Sequence, residues 1–358
     1  MKIVTVVGAR PQFIKHAPLS KELVKSHQIV LVHTGQHYDY EMSKVFFDEL
    51  GIPEPDYNLG IGSGTHAYQT GEMLKGIEEI LIKEKPDLTI VYGDTNSTLA
   101  GALSAAKLHV KTAHVEAGLR MFDKSYPEEI NRFVADYCSD YLFCPTQTAA
   151  DNLRQEGVTK GVYLTGDIMV DSLKLNKEIA EKSNILNILG LNSKQYLLVT
   201  IHRDSNTDKR QNLENIVNAI IELGNQGMVL VFPAHPRTVK MLKTFGFIDS
   251  LKKKALLVEP LGYLEFMKLL NHSKAVLTDS GGIQKEAYIL KVPCITLMDN
   301  TPWNETVADG WNIMVGNDKM KIIDMAKEFN PSNQTHGEVF GKGNTSEEIN
   351  KILKQIKL

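Results

Sequence analysis

Cysteine is scarce in this sequence, and neither sign of charge dominates it. Three cysteines occur in 358 residues, each in an apolar context, which excludes a disulfide framework and predicts buried, reduced thiols in a cytoplasmic protein. The net charge of −3 gives no field that would favour nucleic acid or an acidic membrane. No run approaches the ~20 apolar residues that a membrane span requires, so we expect no membrane insertion.

Common cofactor signatures are missing as well. No G-x-G-x-x-G follows an apolar run, which excludes the dinucleotide-binding fingerprint, and no G-x-x-x-x-G-K-[ST] loop occurs. Neither H-E-x-x-H nor a paired C-x-x-C is present. We therefore expect no cofactor and no metal.

The sequence does contain a regular alternation of short β-branched runs with amphipathic stretches. The runs KIVTVV, IVLVH and DLTIVY belong to a first series, and YLLVTI, MVLVFP and AVLTDS belong to a second. Continuous apolar strands joined by helices are typical of parallel sheets that are covered on both faces. The predicted fold class is α/β, with two doubly wound Rossmann-like domains facing a central cleft.

A polar stretch at residues 178–194 separates the two series. We predict an N-terminal domain at residues 1–172, a C-terminal domain at residues 173–344, and a last helix at residues 345–358 that packs back on the N-terminal domain. In open α/β sheets, ligands bind beyond the carboxyl ends of the strands. The loops that follow the strands are therefore the expected places for chemistry.

A glycine-rich turn in LTDSGGIQKEAY is the first such loop. Ser280, Gly281 and Gly282 stand where an apolar strand passes into a helix, so backbone N–H groups can approach an anion at the helix start. Glu286 follows about one and a half turns later, where it could accept hydrogen bonds from a ribose diol. The combination predicts a nucleoside diphosphate site, and a plain glycine-rich turn is the alternative.

Two cations follow the first strand, in VGARPQFIK. Arg10 and Lys15 flank the start of a helix that Pro11 begins, since its fixed φ suits the first turn. Two cations beside a helix N-terminus suit a diphosphate. The alternative is a pair of solvated surface charges.

Three carboxylates occupy corresponding positions in the first series. Asp94 follows DLTIVYG, Glu116 follows TAHV, and Glu128 opens a helix with Arg132 one turn along. Each could be a helix cap, but three acids at strand ends of one sheet favour acid–base chemistry. Glu129, next to Glu128, is expected to be only a solvated charge.

Two histidines follow strands of the second series. His202 ends YLLVTIH and His235 lies in VFPAHPR. Although a lone histidine is more often structural than functional, the strand end that carries His202 should face the cleft. We interpret His202 as functional and leave the role of His235 open.

Seven motifs, in this order, resemble those of the non-hydrolysing UDP-N-acetylglucosamine 2-epimerases over essentially the whole chain: GARPQFIK, TGQHY, GDTNST, HVEAGLR, PEEINR, IHR and TDSGGIQKE. The resemblance implies the glycosyltransferase-B architecture, with UDP held mainly by the C-terminal domain. It implies that UDP-N-acetylglucosamine and UDP-N-acetylmannosamine interconvert through a 2-acetamidoglucal, without a cofactor. The implied setting is a cytoplasmic homodimer that supplies polysaccharide synthesis.

The resemblance also implies roles for the matching residues. Asp94, Glu116 and Glu128 would surround the sugar, and His202 would serve the reacting centre and the diphosphate.

The implied UDP- or substrate-binding residues all lie in the matching motifs or in EPLGYLEF, whose backbone would contact uracil; they are Arg10, Lys15, His202, Leu261, Phe266, Ser280, Gly281, Gly282 and Glu286. Among them, the Ser-Gly-Gly turn would bind phosphate and Glu286 the ribose.

Two departures from the family pattern affect regulation and substrate. His-Arg-Asp-Ser at residues 202–205 replaces His-Arg-Arg-Glu, so we expect weak or absent activation through a second UDP-sugar site, although Gln36 of TGQHY is kept. Trp303 stands where many members have arginine, which would change the substrate pocket or its hinge.

More than one substrate and more than one activity are compatible with these motifs. The GARPQFIK and HTGQHYDYEMS forms also resemble a branch that includes epimerases of UDP-2,3-diacetamido-2,3-dideoxyglucuronic acid. A glycosyltransferase of the same fold, a UDP-sugar-binding protein without catalysis and a hydrolysing epimerase are the competing activities.

Overall fold

The structure is a computed structural model, and it describes residues 1–36, 47, 49–331 and 334–356. The chain divides into two compact units: unit 1 comprises Met1–Asn176 and Glu338–Leu358, and unit 2 comprises Lys177–Gly337. Residues 173–176 and 338–344, which the sequence predicts for the second domain, thus belong to unit 1. Among the described residues, no helix combines the length and apolar character that crossing a bilayer requires.

A parallel sheet forms the centre of unit 1. Its strands are β1 (Lys2–Val7), β2 (Gln28–His33), β3 (Tyr57–Asn58), β4 (Leu88–Tyr92), β5 (Lys111–Val115), β6 (Tyr141–Cys144) and β7 (Val162–Leu164). They pair in the order β3-β2-β1-β4-β5-β6-β7. Every residue of β4 is buried, so both faces of the sheet are covered there, which explains the continuous apolar run.

Helices connect the strands of unit 1. They are α1 (Arg10–Leu23), α2 (His66–Glu84), α3 (Asn96–Lys107), α4 (Pro127–Cys138), α5 (Gln147–Gln155) and α6 (Ile168–Glu181), which runs across the boundary into unit 2. The side-chain oxygen of Thr95 caps α3 by accepting from the backbone N–H of Thr98, and Pro127 begins α4. These local signals explain why both helices begin directly after strand-end loops.

Unit 2 repeats the plan with a second parallel sheet. Its strands are β8 (Tyr196–Thr200), β9 (Val229–Pro233), β10 (Leu256–Val258), β11 (Ala275–Thr278), β12 (Cys294–Thr296) and β13 (Asn312–Met314). They pair in the order β10-β9-β8-β11-β12-β13. Apolar side chains on its two faces form two clusters, one of which includes Phe232 and the other Tyr196.

The helices of unit 2 are α7 (Ile185–Ile188), α8 (Asp204–Thr207), α9 (Arg210–Asn225), α10 (Pro236–Thr244), α11 (Ile248–Lys252), α12 (Tyr263–His272), α13 (Gly281–Ile289), α14 (Asn304–Ala308) and α15 (Lys319–Glu328). After unit 2 the chain returns to unit 1 and ends in α16 (Thr345–Gln355), which lies against α1. There the Asn350 amide donates to Glu22 at 2.9 Å and accepts from Ser26 at 3.1 Å.

Candidate active site

A buried ion pair lies at the carboxyl end of the unit 1 sheet. Lys15 on α1 contacts Glu116, the residue that follows β5, and each is 7% exposed. Gly93, directly after the neighbouring strand β4, lies against the pair: a Cβ there would stand 2.9 Å from Lys15 Nζ and 3.2 Å from Glu116 Oε2. A side chain at this position would therefore require the end of Lys15 or Glu116 to shift. The interpretation of Lys15 as a solvated surface charge is therefore wrong.

The backbone of Glu116 is strained. Its φ is 78°, in the left-handed region that non-glycine residues rarely adopt. Such strain costs on the order of 1–3 kcal/mol and persists where the surrounding structure holds the backbone in place, as it does at many functional sites. The conformation thus places a carboxylate beside Lys15 at the cost of local stability.

Asp94 is held by Arg132, a residue of α4. Arg132 Nη2 donates to Asp94 Oδ2 at 2.6 Å. Burial raises the pKa of Asp94, but the positive charges of Arg132 and Lys15 outweigh that effect, so this pKa lies below its ordinary value. Because Thr95 caps α3, Asp94 is an ion-pair partner and not the cap that its sequence position also allowed. At neutral pH it is a carboxylate that can accept a proton.

The prediction that Glu129 is only a solvated charge is wrong. This residue is 0% exposed, and its carboxylate accepts from the backbone N–H groups of Met121 and Phe122 at 2.8–3.0 Å. It also accepts from Arg132 Nη1 at 2.8 Å. The reason is that the loop before α4 folds back over the first helical turn and encloses this side chain. Glu129 therefore holds the arginine that pairs with Asp94.

Glu128 and Arg10, two of the predicted site residues, occupy the first turns of their helices. Each is partly exposed, Glu128 on α4 and Arg10 as the first residue of α1. Gln12 fixes the turn that presents Arg10: its side-chain carbonyl accepts from Gly8 N at 2.8 Å, and its amide donates to the Tyr92 carbonyl at 3.0 Å. Gln12 thus ties the end of β4 to the start of α1.

Gln36 lies on the same edge of unit 1. Its side-chain oxygen accepts from the backbone N–H and the hydroxyl of Ser97, at 3.1 and 2.7 Å. The last two residues of TGQHY lie outside the described residues. The contact anchors Gln36 to the first turn of α3.

Unit 2 contains a buried acid that orients the predicted histidine. Asp279, between β11 and the glycine turn, is fully buried and accepts from the backbone N–H groups of His202 and Arg203 at 3.0 and 3.1 Å. It also accepts from Asn206 Nδ2 at 3.1 Å. The exposed imidazole of His202 has Nδ1 3.5 Å from Asp279 Oδ1. Because β8 and β11 are neighbours, Asp279 joins the loops that follow both strands.

The glycine turn begins α13, with Ser280 as its N-cap residue. The nearest described atom to a Cβ on Gly282 would be Ser280 Oγ at 3.8 Å, and for Gly281 it would be Trp303 Nε1 at 3.6 Å. The packing of the protein therefore does not require glycine at either position. Space next to the backbone at a helix start suits a bound phosphate.

The remaining predicted UDP-binding residues lie close to the core of unit 2. Glu286 is 7% exposed on α13. Phe266 belongs to the apolar cluster on one face of the sheet, and Leu261 packs against that cluster. The side chain of Phe266 is thus part of the core, while the loop 259–262 precedes α12 at the carboxyl end of β10.

His235 has a local structural role. Its Nδ1 accepts from the backbone N–H of Arg237 at 3.2 Å and so caps α10. Burial, and next the charge of Arg237, lower the pKa of His235. In the described part of the chain, no cluster of three or more His, Cys, Asp or Glu side chains could hold a metal ion.

Comparison with known proteins decides the family. A family model described as UDP-N-acetylglucosamine 2-epimerase matches residues 21–354. The chain belongs to this family. A protein of Methanococcus maripaludis called a UDP-N-acetylglucosamine 2-epimerase homolog is 56% identical over 99% of this chain and 100% of its own length. The UDP-2,3-diacetamido-2,3-dideoxy-D-glucuronate 2-epimerase of Pseudomonas aeruginosa is 45% identical, over 99% and 100% of the two chains.

Solved structures of this epimerase family are similar throughout. The Methanocaldococcus jannaschii UDP-GlcNAc 2-epimerase in complex with UDP-GlcNAc and UDP has a TM-score of 0.91 and 47% identity, with 99% of each chain covered. The enzyme from Neisseria meningitidis bound to UDP-GlcNAc has a TM-score of 0.91 and 30% identity, covering 99% of this chain and 100% of its own. The predicted glycosyltransferase-B fold of two Rossmann-like domains is confirmed, and the protein is an enzyme of the isomerase class.

Trp303 is one of the two positions at which the sequence is expected to depart from the family pattern. It is buried, and Lys285 Nζ lies 4.3 Å from the centre of its ring, a cation–π contact. Thr301, Gln284 and Asn312 form a buried hydrogen-bonded chain beside it, with distances of 2.6 and 3.3 Å. The indole is thus fixed near Gly281.

Three residues of the candidate site were not predicted from the sequence. Asp279 stands in the TDSGG motif, and an acid between a strand and a glycine turn is a signal that could have been used. Gln12 stands in GARPQFIK, but nothing local distinguishes it. The burial of Glu129 depends on the loop before α4 and has no local signal.

Proposed function

We propose that the protein is a non-hydrolysing 2-epimerase that interconverts UDP-N-acetylglucosamine and UDP-N-acetylmannosamine by elimination and re-addition of UDP. The observation that carries the proposal is the buried Lys15–Glu116 pair with the ionised Asp94 beside it. Acids and cations at the ends of β4 and β5, in a chain of this family, match what the reaction needs.

The proposed reaction begins with transfer of the C2 proton of the sugar to a carboxylate. The electron pair of the C2–H bond forms the C1=C2 double bond, and the C1–O bond breaks with its pair going to the β-phosphate oxygen of UDP. UDP then adds back to C1 of the 2-acetamidoglucal, while an acid returns a proton to the opposite face of C2. Asp94, Glu116 and Glu128 are proposed for the two proton transfers.

Cations are proposed to stabilise the departing diphosphate. Arg10, Lys15 and His202, the last oriented by Asp279, are the residues proposed for this role. The glycine turn of α13 would bind the phosphates, and Glu286 the ribose. The loop 259–262 and the start of α12 would contact uracil through the backbone, since the Phe266 side chain packs in the core.

A second substrate is favoured by one observation. The Pseudomonas aeruginosa relative named for UDP-2,3-diacetamido-2,3-dideoxy-D-glucuronate is 45% identical over 99% of this chain, close to the 47% of the Methanocaldococcus jannaschii UDP-GlcNAc enzyme. We therefore propose UDP-2,3-diacetamido-2,3-dideoxy-D-glucuronate as the second candidate substrate. Measuring kcat/KM for this sugar and for UDP-GlcNAc decides between the two. We further propose that the protein forms a homodimer, which light scattering would test, and that its product supplies polysaccharide synthesis.

The deciding experiment is incubation of the purified protein with UDP-GlcNAc in D₂O, followed by NMR of the sugar. We expect the manno epimer to form without added nicotinamide and to carry deuterium at C2. Free N-acetylmannosamine released with UDP would establish a hydrolysing enzyme instead. Turnover without solvent deuterium would contradict the elimination mechanism.

A further inference from the structure

A buried histidine–aspartate pair lies behind the acids of unit 1. His114 is on β5, Asp136 is on α4, and both side chains are fully buried. His114 Nδ1 is 2.7 Å from Asp136 Oδ1, and Nε2 is 2.7 Å from the carbonyl oxygen of Gly93. A carbonyl oxygen and a carboxylate both accept hydrogen bonds, so this geometry suits a ring that donates from both nitrogens. A ring of this kind would be an imidazolium paired with the Asp136 carboxylate.

Asp136 is anchored by two further donors. Its Oδ2 accepts from Gly118 N at 3.1 Å and from Arg120 Nη1 at 2.7 Å. Arg120 in turn donates twice to the Glu156 carboxylate, each time at 2.7 Å. The Asp136 carboxylate thus contacts two buried basic side chains, those of His114 and Arg120, and one backbone N–H group.

The pair is bonded to both loops that carry the proposed acids. On one side, His114 holds the carbonyl of Gly93, the residue before Asp94. On the other, Asp136 holds the N–H of Gly118, two residues after the strained Glu116. Because each loop is fixed at a backbone atom next to its acid, the pair controls where both carboxylates stand.

We propose that His114 and Asp136 form a positioning pair, which fixes the loops of Asp94 and Glu116 and keeps a permanent positive charge behind Asp94. The proposal rests on the proposed function, in which these acids act on the sugar. His114 is one of the charges that lower the pKa of Asp94, after Arg132 and Lys15 and against the effect of burial. Asp94, Arg120 and Cys144 interact with the pair itself. The other charged groups nearby interact with these partners: Arg132 and Lys15 with Asp94, Glu116 with Lys15, and Glu156 with Arg120.

A second buried histidine of unit 1 provides an internal reference. His16, on α1, is 1% exposed, and its Nδ1 lies 3.1 Å from the Tyr92 hydroxyl. Burial lowers the pKa of His16 to about 4, so its ring is neutral at pH 7. The two rings are equally removed from water, but only His114 faces a carboxylate, and under the proposal only His114 is charged.

Two variants, Asp136→Asn and His114→Gln, separate the effect of the His114 charge from the effect of its hydrogen bonds. In Asp136→Asn the amide nitrogen can take the place of Oδ1 and donate to His114 Nδ1, while the amide oxygen still accepts from Gly118 and Arg120. All the hydrogen bonds are kept, but the ring loses one proton and becomes neutral. His114→Gln removes the charge and also the fixed contact with the Gly93 carbonyl.

The first measurement is ¹H–¹⁵N NMR of the ring nitrogens in histidine-labelled protein, with His114→Gln to assign the signal. We expect His114 to be doubly protonated at pH 7 in the wild type and neutral in Asp136→Asn, and His16 to be neutral in both. A neutral His114 in the wild type would overturn the proposal. This measurement does not depend on activity, so a wild-type protein that fails to epimerise UDP-sugars contradicts the proposed function and not the charged pair.

The second measurement is the pH profile of kcat/KM. In Asp136→Asn we expect the acid limb to move up by about half to one pH unit, because Asp94 loses a neighbouring positive charge. In His114→Gln we expect the same shift together with a fall in kcat on the order of 10-fold, since the Gly93 loop is released. Glu78→Gln, at an exposed position of α2, is the control and should match the wild type. An unchanged acid limb in both variants would refute the pair's electrostatic role.

Discussion

Replacing Glu129 by glutamine tests the buried network that holds Asp94. Oε1 of the carboxylate accepts from Phe122 N and Oε2 accepts from Arg132 Nη1, while Met121 N donates to both oxygens. Glutamine has a single acceptor oxygen, so its NH₂ group must face either Arg132 or the two backbone N–H groups. In both orientations, donors oppose donors in a place that water does not reach.

The expected loss of stability can be worked from these contacts. Removing one partner of a buried ion pair costs about 3–5 kcal/mol. Arg132 keeps Asp94 as a second partner at 2.6 Å, so the lower end of the range, about 3 kcal/mol, is expected. For a domain of roughly 150–250 residues this corresponds to about 6–12 °C in Tm.

Urea unfolding followed by two probes measures the effect. Both tryptophans, Trp303 and Trp311, lie in unit 2, so their fluorescence reports that unit, whereas far-ultraviolet circular dichroism reports both units. In Glu129→Gln the dichroism midpoint should fall further than the fluorescence midpoint. Glu78→Gln, which changes an exposed carboxylate of α2, should stay within about 0.5 kcal/mol of the wild type. A Glu129→Gln protein as stable as this control would refute the buried network.

Three further predictions follow from the site and its surroundings. The amides Asp94→Asn, Glu116→Gln and Glu128→Gln should each lower kcat by about 10²–10⁴-fold while UDP affinity is retained; full turnover in all three would contradict their proposed roles. Gly282→Val should fold normally, because a Cβ there meets its nearest described atom at 3.8 Å, but calorimetry should show UDP binding at least about 10-fold weaker. The pKa of His16 is about 4 in the folded protein, against an ordinary value of 6.5. Between these two pH values the unfolded chain binds more protons than the folded protein at this residue. The free energy of unfolding should therefore fall by about 3 kcal/mol as the pH drops from 6.5 to 4. His16→Gln should flatten that part of the stability profile in urea titrations, and a profile equal to the wild type would count against the buried neutral ring.

The fold class could be predicted from the sequence because the features that indicate it are local. Alternation of apolar strands with amphipathic helices depends on neighbours along the chain, and so do the proline that begins α4 and the glycine turn that begins α13. The order of the motifs identified the family, and that identification was confirmed by the family model over residues 21–354.

The ion pairs could not be predicted from the sequence, because each joins residues that are far apart along the chain. Lys15 and Glu116 meet because α1 and β5 carry them to the same end of the sheet, and Asp94 meets Arg132 from another connection. Residue spacing predicts contacts only between neighbours on one helix, such as residues i and i+4, and it suggested only that Glu128 faces Arg132. It cannot predict a contact between residues on different elements.

Which acids lie near the carboxyl ends of the strands was thus determined by the sequence itself. Which of them is buried, ionised or held was decided only by the tertiary structure. Glu128 and Glu129 are adjacent and chemically the same, yet Glu129 is enclosed by the backbone N–H groups of Met121 and Phe122. A charge is stabilised away from water only by donors or opposite charges that reach it, and in this protein those groups arrive from other elements of the fold.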